Sequence, residues 1–327
     1  MTNGMTLPSH ALTAPFALAR YRTGEAVQLG LVAGERIRPL SATDLAAPDL
    51  NAFLAAPAWE RLAELASESE GWMPLADVTL TAPVEPRQVL QAGANYRQHV
   101  IELVAAGLTQ KSDRTPEEAR AAAAKIMDDR KANGQTYFFI GLPTAVVGDD
   151  VPLVLPAYSD VHDWELELAV VIGREAFRVS RDEAMSHVAG YTIVNDITTR
   201  DLVFRPDMKE IGTDWYRAKN APGFLPTGPF LVPAPYVDGG NLAITLDLNG
   251  QRMQDSSTSD LMFDIPTLIA GASQNMPLLP GDLLLTGSPP GNGQHWQRFL
   301  RDGDVMTGGI EGLGAQVVRC VAEERTA

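Results

Sequence analysis

From residue 88 onward the sequence breaks into short apolar runs, mostly bounded by Gly, Pro, Asn or Asp. They are QVLQAG, AVVG, PLVLP, LELAVVIG, GYTIVND, PFLVP, LAITLDLNG, DLLLTG and VVRCV. A doubly wound parallel sheet needs a crossover helix between successive strands, and few strong helical patterns separate these runs. The spacing therefore predicts a β-rich α+β fold with long connections. Upstream, FALARYR and VQLGLVA read as short strands, and residues 49–70 read as a helix interrupted near Pro57. Pro83 and Pro86 then mark a boundary. The expected organisation is a loose leader over residues 1–15, within a small N-terminal α+β subdomain (1–82), followed by a larger domain (83–327).

One segment departs from the strand pattern. Thr115-Pro116-Glu117-Glu118 has an N-cap threonine, a proline at the first helical position and a capping-box glutamate, and Gly134 can close the helix. The helix is Ala-rich, with Ile126 and Met127 as its few large apolar residues, so light packing is expected. A lid and a surface decoration both suit that pattern.

With 327 residues the chain can bury an ample core. A net charge of −15 disfavours nucleic acid and anionic membranes as partners, so neither is expected. An anionic substrate would need local positive charge from a metal, Lys or Arg. Cys320 is the only cysteine, which excludes an internal disulfide and a cysteine-based zinc site. No apolar stretch approaches the length of a membrane span, and the first residues lack a signal-peptide pattern. The expectation is a cytoplasmic enzyme.

Glu165 and Glu167 interrupt the apolar run HDWELELAVVIG. At i and i+2 of a strand they face the same side. Two adjacent carboxylates beside a buried strand repel each other unless neutralised, and a divalent cation does so; alone, the pair also suits a solvated face. In GANYRQHVIE, His99 and Glu102 share one face of a helix, a spacing that suits a carboxylate-oriented general base. Asp196 follows the apolar strand of GYTIVND, where it can complete a metal site, and Asp201 reads as a salt-bridged turn near Arg200 and Arg205. Lys219 enters the Pro/Gly-rich loop KNAPGFLPTGP. The loop in PGDLLLTGSPPGNG has small residues whose N–H groups can hold an anion, without the Lys of a Walker A loop.

Taken in order, GANYRQHVIE, DWELELAVVIG, AGYTIVNDITTRD, KNAPGFLPTGP, LNGQRMQ, LLPGDLLLTGSPPGNG and GDVMTGGIEGLG resemble the fumarylacetoacetate hydrolase family over roughly residues 83 to 325. The resemblance implies a mixed β-roll, barrel-like core and a homodimer. It implies Glu165, Glu167 and Asp196 as ligands of Mg²⁺, with Mn²⁺ or Ca²⁺ as alternatives. His99 and Glu102 match a water-activating dyad, and Lys219 a lysine near the metal. Ser288, where relatives carry a threonine, contacts substrate, with Gly287 and Arg97 as further contacts. Residues 103–135 match a mobile lid. The implied reaction is hydrolysis of a C–C bond in a small anionic 2-oxo or β-diketo acid such as an acylpyruvate. The cation would stabilise enolate charge, with catabolism of aromatic or sugar acids as the setting. Decarboxylase, isomerase and hydratase or dehydratase activities on the same fold are the alternatives.

Three positions depart from the family pattern. Val203 stands where relatives often have a glutamine, Gly141 where they commonly have a lysine, and Pro222 where many have an aspartate. These departures put the usual substrates in doubt, and Arg97, Arg205, Trp215, Tyr216 and His295 are candidates for replacement contacts.

Overall fold

A computed structural model describes residues 11–111, 114–148, 150–210 and 212–324. The first ten residues of the expected leader, and Ser112 and Asp113 within the expected lid, lie outside the described residues.

The fold is β-rich α+β. Its centre is a six-stranded sheet in the order Val232–Pro233, Val188–Asn195, Leu166–Ile172, Leu283–Leu285, Val89–Ala92 and Phe138–Gly141. All neighbours are antiparallel except Leu283–Leu285 against Val89–Ala92. Every residue of Leu166–Ile172 is buried. A strand covered on both faces must be apolar throughout, as LELAVVI nearly is. A second, five-stranded sheet runs in the order Gln251–Ser257, Ala243–Leu248, Val305–Ile310, Gly314–Ala322 and Leu153–Leu155. Leu166, Leu168 and Val170 share one core with Ile244, Leu246 and Ile310 of this sheet.

Residues 17–81 supply a third sheet, ordered Met73–Pro74, Arg36–Pro39, Val27–Ala33, Ala17–Arg22 and Thr79–Thr81. The helix expected over 49–70 is two helices, Leu50–Ala55 and Trp59–Ser67, with Pro57 in the break. Phe16, Leu18, Phe53, Leu54 and Leu62 pack with Ala169, Val171 and Leu283, so this region covers the other face of the central sheet. Among the described residues no helix is long and apolar enough to cross a membrane.

Two helices, Arg97–Lys111 and Pro116–Asn133, pack on each other beside the central sheet. Thr115 caps the second through a complete capping box with Glu118. Gly134 closes it in an extended conformation, not a left-handed one. Glycine is required there for space, since a Cβ would lie 2.5 Å from the Arg130 carbonyl oxygen. Only Ala119, Ala123 and Met127 of this helix are buried.

Candidate active site

Strand polarity gathers the charged groups at one end of the central sheet. Glu165 and Glu167 lie at the start of Leu166–Ile172, and Asp196 directly follows Val188–Asn195. Gly287 and Ser288 lie just past Leu283–Leu285, and Gln91 is near the end of Val89–Ala92. Glu165 stands one residue ahead of its strand, held by backbone bonding from Asp196 N–H to its carbonyl at 2.8 Å. One carboxylate oxygen from each of Glu165, Glu167 and Asp196 lies within 4.8 Å of the others.

Lys219 ends the short helix Trp215–Lys219 and is 1% exposed. Its ammonium donates to Glu165 at 2.5 Å and also to Asp196 Oδ2. Arg200 donates to Glu165 at 2.7 Å and to Asp163 at 2.6 Å. Gln91 Nε2 donates to the other Asp196 oxygen at 2.5 Å. Gln91 Oε1 is buried with no partner among the described residues. A Cβ at Gly141 would lie 2.8 Å from that Oε1, so a side chain there would require Gln91 to shift.

The anion expected on the glycine-rich loop is supplied by the protein itself. Gly287 N–H donates to Glu167 at 2.7 Å, and Gly293 and Gln294 N–H donate to Asp163 at 2.5 and 3.1 Å. Gly287 has φ +100°, a conformation glycine adopts readily. Ser288 lines the cavity and accepts a bond from Gln254 at 3.0 Å.

Burial raises Asp196 to about 6, with Lys219 opposing and the Glu165 charge reinforcing the rise. Burial and the charges of Asp196 and Glu165 push Glu167 well above the carboxylate range. Burial acts the same way on Glu165, but Arg200 and Lys219 outweigh it and hold the group low. Burial alone would depress Lys219, yet Asp196 and Glu165 raise it, so the ammonium persists at neutral pH. This excess of buried negative charge, carried by three convergent oxygen donors, fits a hard divalent cation.

The cluster opens into a cavity of about 160 Å³ also lined by His99, Tyr137, Phe139, Arg200 and Trp215. Burial pushes the His99 imidazole down, with Glu165 partly opposing, so the ring is neutral at pH 7. His99 and Glu102 share the helix Arg97–Lys111, but no hydrogen bond joins them. Glu102 accepts from Gln98 at 2.9 Å and faces His295 Nδ1 at 3.5 Å. Arg97 is turned away from the cavity: its guanidinium pairs with Asp128 at 2.7 Å and ties the two helices together.

Asp201, Arg205, Val203, Tyr216 and His162 are not among the cavity's lining residues. Asp201 accepts from Ser159 at 2.8 Å, while Arg205 pairs with Asp207 and Asp214. Val203 is buried, and Tyr216 is exposed. His162 is structural, bonding Thr199 and the Pro156 carbonyl at 2.9 Å each. The sequence reading passed over Arg200 as a site group, and over Asp163, Gln91, Tyr137 and Phe139. Asp163 carried a signal, since D-W-E-L-E continues the two-residue alternation back from Glu165.

The sequence profile described as "Fumarylacetoacetate (FAA) hydrolase C-terminal" matches residues 88–321. A 2,4-didehydro-3-deoxy-L-rhamnonate hydrolase of Sphingomonas sp. (strain SKA58) is 42% identical over 56% of this chain and 64% of its own length. A mitochondrial oxaloacetate tautomerase of Xenopus laevis is 34% identical over 73% of this chain and 67% of its own. The crystal structure of maleylpyruvate hydrolase from Sphingobium sp. SYK-6, in complex with manganese(II) and pyruvate, superposes with a TM-score of 0.72 at 28% identity. It covers 94% of this chain and 100% of that one. These relatives include hydrolases and a tautomerase, and the chain belongs to the fumarylacetoacetate hydrolase family.

Proposed function

We propose that the chain is a divalent-cation-dependent hydrolase that cleaves the C3–C4 bond of a small 2,4-dioxo acid. The observation that carries this reading is the convergence of Glu165, Glu167 and Asp196 in a cavity that also presents Lys219 and His99. A divalent cation held by the three carboxylates would supply Lewis-acid neutralisation of charge at the 2-oxo end of the substrate. Mg²⁺ suits such a donor set, as do Mn²⁺ and Ca²⁺.

The chain's own groups account for the remaining chemistry. His99, neutral and facing the cavity, takes a proton from water as the oxygen adds to C4. The C3–C4 bond then breaks, its electron pair passing to C3 as the enolate of pyruvate, and a proton returns to C3. The products are pyruvate and a carboxylic acid. Lys219 remains charged and, paired with Glu165 and Asp196, holds these carboxylates at the cavity and offsets part of their charge as the enolate forms. Tyr137, Phe139 and Trp215 limit bulk water.

One observation favours a second reading. Glu102 does not hydrogen-bond His99, so the water-activating pair is not assembled in this structure. A tautomerase or isomerase needs a proton moved between carbon and oxygen, and no activated water. Turnover of 2,4-dioxopentanoate in H₂¹⁸O decides between them. One ¹⁸O in the released acetate, lost on EDTA treatment, supports the hydrolase. EDTA-sensitive enol–keto exchange without cleavage replaces it with the tautomerase.

A further inference from the structure

Phe139 and Trp215 stack with centroids 4.7 Å apart and planes at 17°. Trp215 Nε1 donates to the Tyr137 hydroxyl at 2.6 Å. Tyr137 packs on Gly93, where a Cβ would lie 2.6 Å from the ring. The Lys219 ammonium sits 5.3 Å from the Phe139 centroid. The three rings thus form a braced wall of the cavity, beside the carboxylate cluster.

Among the described residues, the cavity lining carries no cation without a carboxylate partner. The lysine and arginine among its described lining residues are Lys219 and Arg200, and both are committed to carboxylates. With Asp163 behind Arg200, four carboxylates face two cations. A divalent cation cancels that excess without exceeding it. One substrate carboxylate can be taken up at the cation; a second would lie unpaired against ring faces whose quadrupole is negative. Of the cations nearby, Arg97 is bound to Asp128 and His295 faces Glu102, while Arg130 is outside the lining and donates to the carbonyl of the lining residue Ala94 at 3.2 Å.

We propose that the site takes 2-oxo acids bearing a single carboxylate and an uncharged tail laid on the Tyr137–Trp215–Phe139 wall, and discriminates against dicarboxylates of similar length. The cavity of about 160 Å³ suits a short tail, apolar or hydroxylated. The Tyr137 hydroxyl accepts the Trp215 bond, and its own proton has no partner among the described residues. This inference rests on the reading of the acidic cluster as a cation site for 2-oxo acids.

Calorimetric titration of the Mn²⁺-loaded protein with pyruvate, 2-oxohexanoate and 2-oxoglutarate separates the two. The expected order places 2-oxohexanoate about tenfold or more tighter than 2-oxoglutarate. Trp215→Leu should erase most of that preference while weakening pyruvate much less, and Tyr137→Arg should shift the preference toward 2-oxoglutarate. Thermal melts of each variant establish that it folds. Equal or tighter binding of 2-oxoglutarate by the wild type, with pyruvate bound, would overturn the tail assignment and leave the cation site standing. Failure to bind Mn²⁺ or pyruvate would overturn the cation reading, and this inference with it.

Discussion

His99 is the residue whose ionisation should govern activity near neutrality. Burial depresses its imidazole below the ordinary value near 6.5, and the Glu165 charge offsets only part of that. The folded chain therefore binds fewer protons at His99 than the unfolded chain does just below that value. This group's contribution to stability falls as pH drops from about 6.5 through the folded value. The neutral ring is the base, so kcat/KM should climb along an acid limb centred below pH ~6.5 and be flat above neutrality. His99→Gln should remove the limb and cost about 10²–10⁴ in kcat. A pH–rate profile of both proteins checks this, and an identical limb in the variant would take His99 out of the reaction. The site's charged groups were readable where they broke an apolar run, as Glu165, Glu167 and Asp196 do. Gln91 was not, because a lone amide in QVLQAG carries no mark that it will bond Asp196 across 105 positions. Arg97 misled for a related reason: only the packing of two helices reveals Asp128 as its partner.

The loop after Leu283–Leu285 acts as an element because its backbone holds a side chain of the neighbouring strand. Gly287 donates to Glu167 from φ +100°, and a Cβ there would lie 3.0 Å from that of Asn95. Gly287→Val should cost about 1–3 kcal/mol from backbone strain alone. Because Glu167 loses its fixed orientation, Mn²⁺ affinity should fall as well. Urea unfolding and Mn²⁺ titration measure the two effects separately, and unchanged values of both would mean that the loop does not hold the carboxylate. Several strands were legible where Gly, Pro or Asn bounded an apolar run, as in Leu166–Ile172 and Val188–Asn195, but Phe138–Gly141 and Val305–Ile310 were not read as strands. Gln251–Ser257 escaped that reading because QRMQDSS is mostly polar and partly exposed. Strand order escaped it too. The parallel pairing of Leu283–Leu285 with Val89–Ala92 joins distant parts of the chain, and only the closed core fixes it.

At the scale of the whole molecule, the chain stores like charge in its interior while its net charge is already −15. Any cation that binds the folded state but not the unfolded chain stabilises it, by about 2.7 kcal/mol at a hundredfold excess over Kd. A shift in Tm of several degrees should follow on adding Mn²⁺ or Mg²⁺ to protein dialysed against EDTA. General screening of an acidic surface also stabilises, so the melts belong at matched ionic strength with Na⁺ as reference. Glu167→Gln separates the two effects. It removes one carboxylate from the buried cluster and leaves the surface unchanged. In the variant the Mn²⁺-specific shift should disappear. The metal-free variant should melt at or above the wild type, because repulsion of Glu167 by Asp196 and Glu165 is relieved. An Mn²⁺ shift of equal size in both proteins would assign the effect to the surface. A metal-free variant much less stable than the wild type would mean that the carboxylates, with Lys219 and Arg200 between them, hold this end of the sheet together without any cation.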